Sequence, residues 1–202
     1  MSKMILRCVR SDMTSTNGFR WPRPDEDLGH GPGVAVSPEW SPIAECGHGL
    51  HGWLGGAGDP SISSCVDDPS AVWLVVEVEE ADIVRLEGKV KYPRGRVVFA
   101  GDRHGATQHL HAHGQADPGC MWIALTGGRG STFTGGDDST LAGGDYSTIT
   151  GGYRSTLLGG YRSTLTGGHD STLTGGRCST ITGGHWSTLT GGPDSTLTGG
   201  DY

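Results

Sequence analysis

The chain has 202 residues, 37 of them Gly, with 34% hydrophobic residues and a formal net charge of −7. That composition argues against one large conventional core. Residues 1–120 carry 16 acids and 11 bases, and the remainder carries 6 acids and 4 bases. Neither half has the basic stripe that phosphate binding needs, so direct nucleic-acid binding is disfavoured.

The N-terminal MSKMILRCVRSDMTS lacks the apolar centre of a signal peptide, and no stretch is long and apolar enough for a membrane-spanning helix. The five Cys (8, 46, 65, 120 and 178) are odd in number and irregularly spaced. Reduced thiols in a cytoplasm are therefore expected, with signal-less export left open.

In chain order, KMILRCVR (3–10) reads as a strand, and residues 22–45, rich in Pro, Gly and acids, read as a long loop. ECGHGLHGW (45–53) brings Cys46, His48 and His51 close together. These are borderline ligands for zinc, but their spacing matches no strong metal signature. The expectation is therefore no metal and no cofactor, with the Gly residues shaping a turn that Leu50 and Trp53 anchor. Together with RSDMTSTNGFRWP (10–22), this segment resembles a small uncharacterised domain found ahead of repeat arrays in bacterial and phage proteins. That resemblance implies no established activity.

VWLVVEVEE is a continuous apolar run, as in a strand buried on both faces. EEADIV suggests a short helical or turn segment. GKVKYPRGRVVFAG predicts two short strands around a Pro-Arg-Gly turn. The result is a small α+β capping domain over residues 1–103, followed by a junction over 104–120. In that junction, HLHAH (109–113) would place His109, His111 and His113 on one strand face, a candidate metal or pH-sensitive site. No nucleophile elbow, Walker loop, HExxH or dinucleotide fingerprint is present. An enzymatic alternative, a small transferase-like activity in residues 1–103, would rest on His51 acting with Glu77, Glu79 or Glu80.

From residue 121 a period of eight takes over. Ser recurs at 131, 139, 147, 155, 163, 171, 179, 187 and 195, each followed by Thr and then an apolar residue. Two Gly and two variable residues complete the unit, and MWIALTGG (121–128) is a degenerate first copy, making ten octads. An octad is too short to bury anything alone, so stacking must stabilise it. In a strand, an inward Leu or Ile carries the Ser two residues before it inward and turns both flanking Thr outward. Gly-Gly is expected to supply the turn through positive φ. The reading is an all-β solenoid over 121–202 with two octads, about 16 residues, per coil. One side then carries Thr132/Thr134, Thr148/Thr150, Thr164/Thr166, Thr180/Thr182 and Thr196/Thr198, all intact. The three lapses, Ala124, Ala142 and Leu158, fall on the other side.

GGYRSTLTGGHDSTLTGG resembles the octads of bacterial ice-nucleation proteins. The resemblance covers about residues 121–202 and implies a β-solenoid whose outward Thr array orders water or binds ice. Carried over, the array is Thr132, Thr134, Thr148, Thr150, Thr164, Thr166, Thr180, Thr182, Thr196 and Thr198. The chain departs from that family in having only ten octads, Gly-Gly for Ala-Gly, and no regular Tyr ladder.

The resulting expectation is a non-catalytic binding and assembly protein. The chain closes on the bare repeat, so two copies are expected to meet end to end as a homodimer through His185, Trp186, Leu197, Thr198, Asp201 and Tyr202. The variable residues Tyr153, Arg154, Tyr161 and Arg162 are candidate contacts for a protein partner. A further alternative is an inhibitor that mimics DNA, which would need Asp137, Asp138, Asp145, Asp170, Asp194 and Asp201 to gather into a negative stripe.

Overall fold

The apolar strand segments of the N-terminal part pair as one antiparallel sheet of seven strands. In chain order these are β1 (Ser2–Val9), β2 (Val34–Val36), β3 (Leu50–Leu54), β4 (Val72–Glu79), β5 (Val84–Leu86), β6 (Lys89–Tyr92) and β7 (Arg94–Gly101). Their order across the sheet is β2-β7-β4-β1-β3-β6-β5. The computed structural model describes residues 1–201 and divides into two units, Met1–Asp117 and a second that begins at Pro118.

The central pair is the longest: β1 and β4 run antiparallel in register from Ser2↔Glu79 to Val9↔Val72. The continuous apolar run of β4 has the expected cause, since Trp73, Leu74, Val75 and Val76 are all buried. Around Ile5, Leu74, Val76 and Val97 the core takes in Met13, Trp21, Leu50 and Tyr92. The two strands of GKVKYPRGRVVFAG do not pair with each other. Only Pro93 separates β6 from β7, yet β4, β1 and β3 lie between them in the sheet. A flat sheet would hold them roughly 19 Å apart at ~4.8 Å per strand, far beyond the reach of two peptide units. The sheet must therefore curl, and Gly52 helps it close: a Cβ there would lie 2.5 Å from Ile5 Cγ2 and 2.6 Å from the Leu6 carbonyl oxygen. EEADIV contains the expected short helical turn, a 3₁₀ segment over Glu80–Asp82.

The HLHAH segment is not a strand. It belongs to helix α1 (Arg103–Ala112), which is capped by Asp102, whose carboxylate accepts from the Gly105 N–H at 2.7 Å. Ala106, Thr107 and Leu110 share one buried face, the helical period that alternating His residues masked. His109 and His113 therefore stack at 4.2 Å as an i, i+4 pair, and no strand face of three imidazoles forms. This helix packs within the first unit, which extends to Asp117.

The second unit is a β-solenoid. Its strands are β8 (Ala124–Thr126), β9 (Thr132–Thr134), β10 (Thr140–Ala142), β11 (Thr148–Thr150) and β12 (Thr156–Gly159), then β13 (Thr164–Thr166), β14 (Thr172–Gly175), β15 (Thr180–Thr182), β16 (Thr188–Gly191) and β17 (Thr196–Thr198). They form two parallel five-stranded sheets, β8-β10-β12-β14-β16 and β9-β11-β13-β15-β17. Every pairing joins residue i to residue i+16, as Thr148↔Thr164 and Ile149↔Leu165 illustrate. Two octads thus make one coil, and there are five coils.

Inside, the two sheets face each other through aliphatic columns. Leu141, Ile149, Leu157, Leu165, Leu173 and Ile181 are buried essentially completely. Beside them Ser139, Ser147, Ser155, Ser163, Ser171 and Ser179 are equally buried. Their hydroxyls are satisfied locally: Ser139, Ser147 and Ser163 donate to the Gly carbonyl three residues back. Others reach a Gly carbonyl of the neighbouring coil, as Ser171 does to Gly152 at 3.1 Å. This is what lets a buried polar column persist. The degenerate first copy obeys the same plan, with buried Ile123 in the Ser position and Leu125 in the Leu position.

The turns correct one expectation. Gly-Gly does not carry positive φ. That conformation falls on the second variable residue of each octad: Trp122, Gly130, Asp138, Tyr146, Arg154, Arg162, Asp170, Cys178, Trp186 and Asp194. The paired Gly are required for space instead. A Cβ on the first, as at Gly159, would lie 2.3 Å from the Ser163 hydroxyl, and on the second, as at Gly168, 2.8 Å from the Gly152 carbonyl carbon one coil away.

Candidate functional site

The outward faces of the two solenoid sheets differ. On β9, β11, β13, β15 and β17 all ten Thr are exposed, in two columns: Thr132, Thr148, Thr164, Thr180, Thr196 and Thr134, Thr150, Thr166, Thr182, Thr198. Strand geometry sets the grid at ~4.8 Å between coils and about 6.6 Å between columns. Thr is stiff at χ1, so hydroxyls and methyls repeat with little rotational freedom. The opposite face is broken by Ala124, Ala142 and Leu158, the last half exposed.

The two edges of the coil carry the variable residues, and period 16 sorts them. One edge holds Arg129, Asp145, Tyr161, Arg177 and Pro193 with their successors, and the other holds Asp137, Tyr153, His169 and His185 with theirs, and Asp201. Tyr153-Arg154 and Tyr161-Arg162 therefore lie on opposite edges and form no shared patch. Each Arg lies over its own Tyr, at 5.8 Å for Arg154 and 5.3 Å for Arg162. The aspartates are split as well, four on one edge and two on the other, and several are engaged. Asp138 pairs with Arg154 and Asp194 with Arg177, each at 3.2 Å. Asp137 and Asp145 accept from the backbone N–H groups of Tyr153 and Tyr161, both at 2.8 Å. The continuous negative stripe required for duplex mimicry is not assembled among the described residues.

Of the residues expected at an end-to-end contact, Trp186 is 64% exposed and Leu197 44%. His185 stacks on His169 at 5.1 Å, and its Nδ1 lies 2.7 Å from the carbonyl oxygen of Asp201. Thr198 is exposed at the end of β17, and Tyr202 lies outside the described residues. Strands β16 and β17 are paired on one side only within this chain.

In the first unit, Cys46, His48 and His51 go separate ways. Cys46 Sγ meets Lys89 Nζ at 3.0 Å, and His48 Nδ1 meets the Glu39 carboxylate at 2.9 Å. No group of three metal-ligating side chains is assembled among the described residues. Leu50 and Trp53 anchor the turn as expected, both buried. The carboxylates weighed as partners for His51 are also engaged elsewhere. Glu77 pairs with Arg96 at 2.9 Å, Glu79 lies 3.6 Å from the Met1 amino group, and Glu80 lies 3.7 Å from Lys3.

What the sequence reading missed is a cavity of about 540 Å³ in this unit, walled by Arg7, Ser15, Phe19, His48, His51 and Lys89 among others. Its one carboxylate is Glu39, already held by His48. No motif marks it, because its residues come from β1, β3, β6 and the loops between them.

Among the described residues, no helix is long and apolar enough to cross a membrane. No protein-family profile matches the chain, and no solved structure matches it. Curated proteins do. The chain is 38% identical over 117 residues to an ice nucleation protein of Pseudomonas syringae, a match covering 57% of this chain and 9% of that one. To ice nucleation protein InaU of Pantoea ananas it is 31% identical over 112 residues, 54% of this chain and 10% of that one. To an ice nucleation protein of Xanthomonas campestris pv. translucens it is 55% identical over 112 residues, 54% of this chain and 6% of that one. The chain thus spans a tenth or less of the length of these relatives. With the i, i+16 pairing described above, these likenesses show the octads of this protein to be ice-nucleation-like repeats wound into a five-coil β-solenoid.

Proposed function

We propose that the solenoid is a non-catalytic binding element whose intact Thr face contacts ice or ordered water. The observation that carries this reading is the in-register grid of ten exposed Thr on β9, β11, β13, β15 and β17, set against a lapsed grid on the other face. A stiff, repeating array of hydroxyls and methyls holds first-layer water in fixed positions at little entropic cost to the protein. The likeness to ice nucleation proteins supports the same reading. The five coils span about 24 Å, and adsorption to ice is the activity expected of this grid. The test is ice recrystallisation inhibition and thermal hysteresis with paired substitutions. Thr164→Tyr on the intact face should abolish activity, while Thr172→Tyr on the lapsed face should leave it. Inactivity of the unaltered protein in both assays removes the reading.

The same reading includes lengthening of the array by self-association. Backbone groups on the outer side of β16 and β17, with the exposed Leu197 and Trp186, offer a surface on which a second copy would extend both sheets. Sedimentation at micromolar concentration should show a dimer that Leu197→Lys disperses. A monomer throughout the concentration range counts against it.

A further inference from the structure

The cavity in the first unit presents a charge that the protein does not balance. Arg7, on β1, lines the cavity and is held by three contacts. Its Nη1 donates to the His51 carbonyl at 2.6 Å, its Nη2 donates to Ser15 Oγ at 2.9 Å, and its guanidinium lies 5.2 Å from the centre of the Trp21 ring. Nε has no partner. Among the described residues no carboxylate forms an ion pair with this guanidinium, and burial pulls its affinity for the proton down against the opposing pull of Tyr92, Cys8 and Cys65. A largely desolvated cation without a counter-charge is costly, and it persists cheaply only where an anion completes it.

The neighbouring groups favour the same occupant. Ser15 is buried and its Oγ accepts from two donors, Arg7 Nη2 and Trp21 Nε1, the latter at 2.7 Å. With both lone pairs used, its own proton is left to donate. Lys89 adds a second cation to the wall, against the single Glu39. His51 supplies the complementary function. Burial, reinforced by Lys89 and Arg7, lowers its pKa to about 4, so the imidazole is neutral at pH 7. Its hydrogen bond goes to the backbone of Gly49, while Nε2 has none among the described residues. That nitrogen is an unpaired acceptor shielded behind the cavity wall, which a ligand hydroxyl reaches only once the imidazole turns. Phe19 and Ile62 give the cavity an apolar side, and its volume suits a ligand of nucleotide size or smaller.

We propose that this cavity binds a phosphorylated ribose, free or within a nucleotide, with the phosphate on Arg7, Ser15 and Lys89, a sugar hydroxyl toward His51, and any base against Phe19 and Ile62. The site is independent of the Thr face, and its fate does not depend on the activity proposed for the solenoid. A carboxylate ligand would satisfy Arg7 but leave His51 without its donor. A polyanion such as nucleic acid would meet a local pocket holding two cations, with no extended basic surface to follow.

The test is titration of the full chain, followed by backbone amide NMR and calorimetry, with AMP, ribose 5-phosphate, adenosine and inorganic phosphate in parallel. AMP or ribose 5-phosphate should bind saturably with submillimolar Kd, shifting the amides of residues around Arg7, Ser15 and His51. Adenosine and inorganic phosphate should each bind at least about tenfold more weakly, since each supplies half of the recognition. Equal affinity of AMP and ribose 5-phosphate identifies the sugar phosphate as the whole ligand, while tighter AMP binding places a base against Phe19. Lys89→Ala, at the rim, should weaken binding about tenfold without lowering the melting temperature, and His51→Gln should keep most of it by preserving an acceptor. No saturable binding of either phosphorylated sugar at about 5 mM overturns the proposal. So does inorganic phosphate binding as tightly as AMP, or affinity unmoved by Lys89→Ala.

Discussion

Ser163 Oγ and Ser179 Oγ, one coil apart, lie 3.1 Å from each other inside the solenoid. Each also donates to the carbonyl of Gly160, at 2.9 and 3.1 Å. The polar column is therefore cross-tied, and losing one hydroxyl leaves the carbonyl with a partner. Ser163→Ala should cost only about 1 kcal/mol. Leu165→Ala, two residues along the chain, empties a fully buried aliphatic site and should cost roughly 2–5 kcal/mol. Urea melts of the full chain, followed in the β-sheet circular dichroism band, check the order. A larger loss for Ser163→Ala would mean that the hydroxyl column, rather than the aliphatic one, holds the coils together.

The second Gly of the octad is predicted to be unequal in consequence along the chain. At Gly168 an added Cβ would meet the backbone of the previous coil, 2.8 Å from the Gly152 carbonyl carbon. At Gly128, in the first coil, nothing lies within 4 Å. Gly168→Ala should therefore destabilise by about 1–3 kcal/mol through forced separation of coils, and Gly128→Ala should be close to neutral. The comparison is a thermal melt of the two variants. Equal losses would show that chain flexibility, and not coil contact, is why Gly occupies these positions.

Strain sits instead on non-glycine residues. Arg154 and Arg162 hold φ of 54° and 52°, a region that costs an L-residue about 1–2 kcal/mol. Arg162→Gly relieves that cost at the expense of a more flexible unfolded chain, so a net gain of about 0.5 kcal/mol is expected. Differential scanning calorimetry would register it as a raised Tm. Unchanged or lowered Tm would mean that the contact of Arg162 with the Tyr161 ring outweighs the backbone strain.

These turns show where legibility ended. The inward Leu and Ser and the outward Thr follow from a period of eight combined with strand alternation, while two octads per coil was indicated only by Ala124, Ala142 and Leu158 falling on one side. The seat of positive φ was not visible. Arg, Tyr, Trp and Cys avoid that conformation, while the Gly-Gly beside them invites it. Only Gly130 and the Asp at 138, 170 and 194 hinted otherwise. Helix α1 was missed because His109, His111 and His113 alternate, and only Ala106, Thr107 and Leu110 reveal its helical face. The cavity was illegible because Arg7, Ser15, His51 and Lys89 are brought together by the curl of the sheet, which no local pattern records.

The depressed pKa of His51 makes the first unit acid-sensitive. Folded, the imidazole titrates near 4, whereas its ordinary value is 6.5, so below pH 6.5 the unfolded chain binds a proton that the folded one refuses. Stability attributable to this residue is complete above pH 6.5 and declines as pH falls toward 4, where the folded form also protonates. Part of the ring is open to solvent, which tempers the size of the effect but not its sign. Melting the unaltered chain and His51→Gln between pH 7 and pH 4 isolates the contribution. The difference between them should shrink or reverse as the pH drops, because glutamine has no proton to take up. Parallel pH profiles would mean that His51 remains protonatable in the folded protein, and that its Nε2 is not the neutral acceptor proposed above.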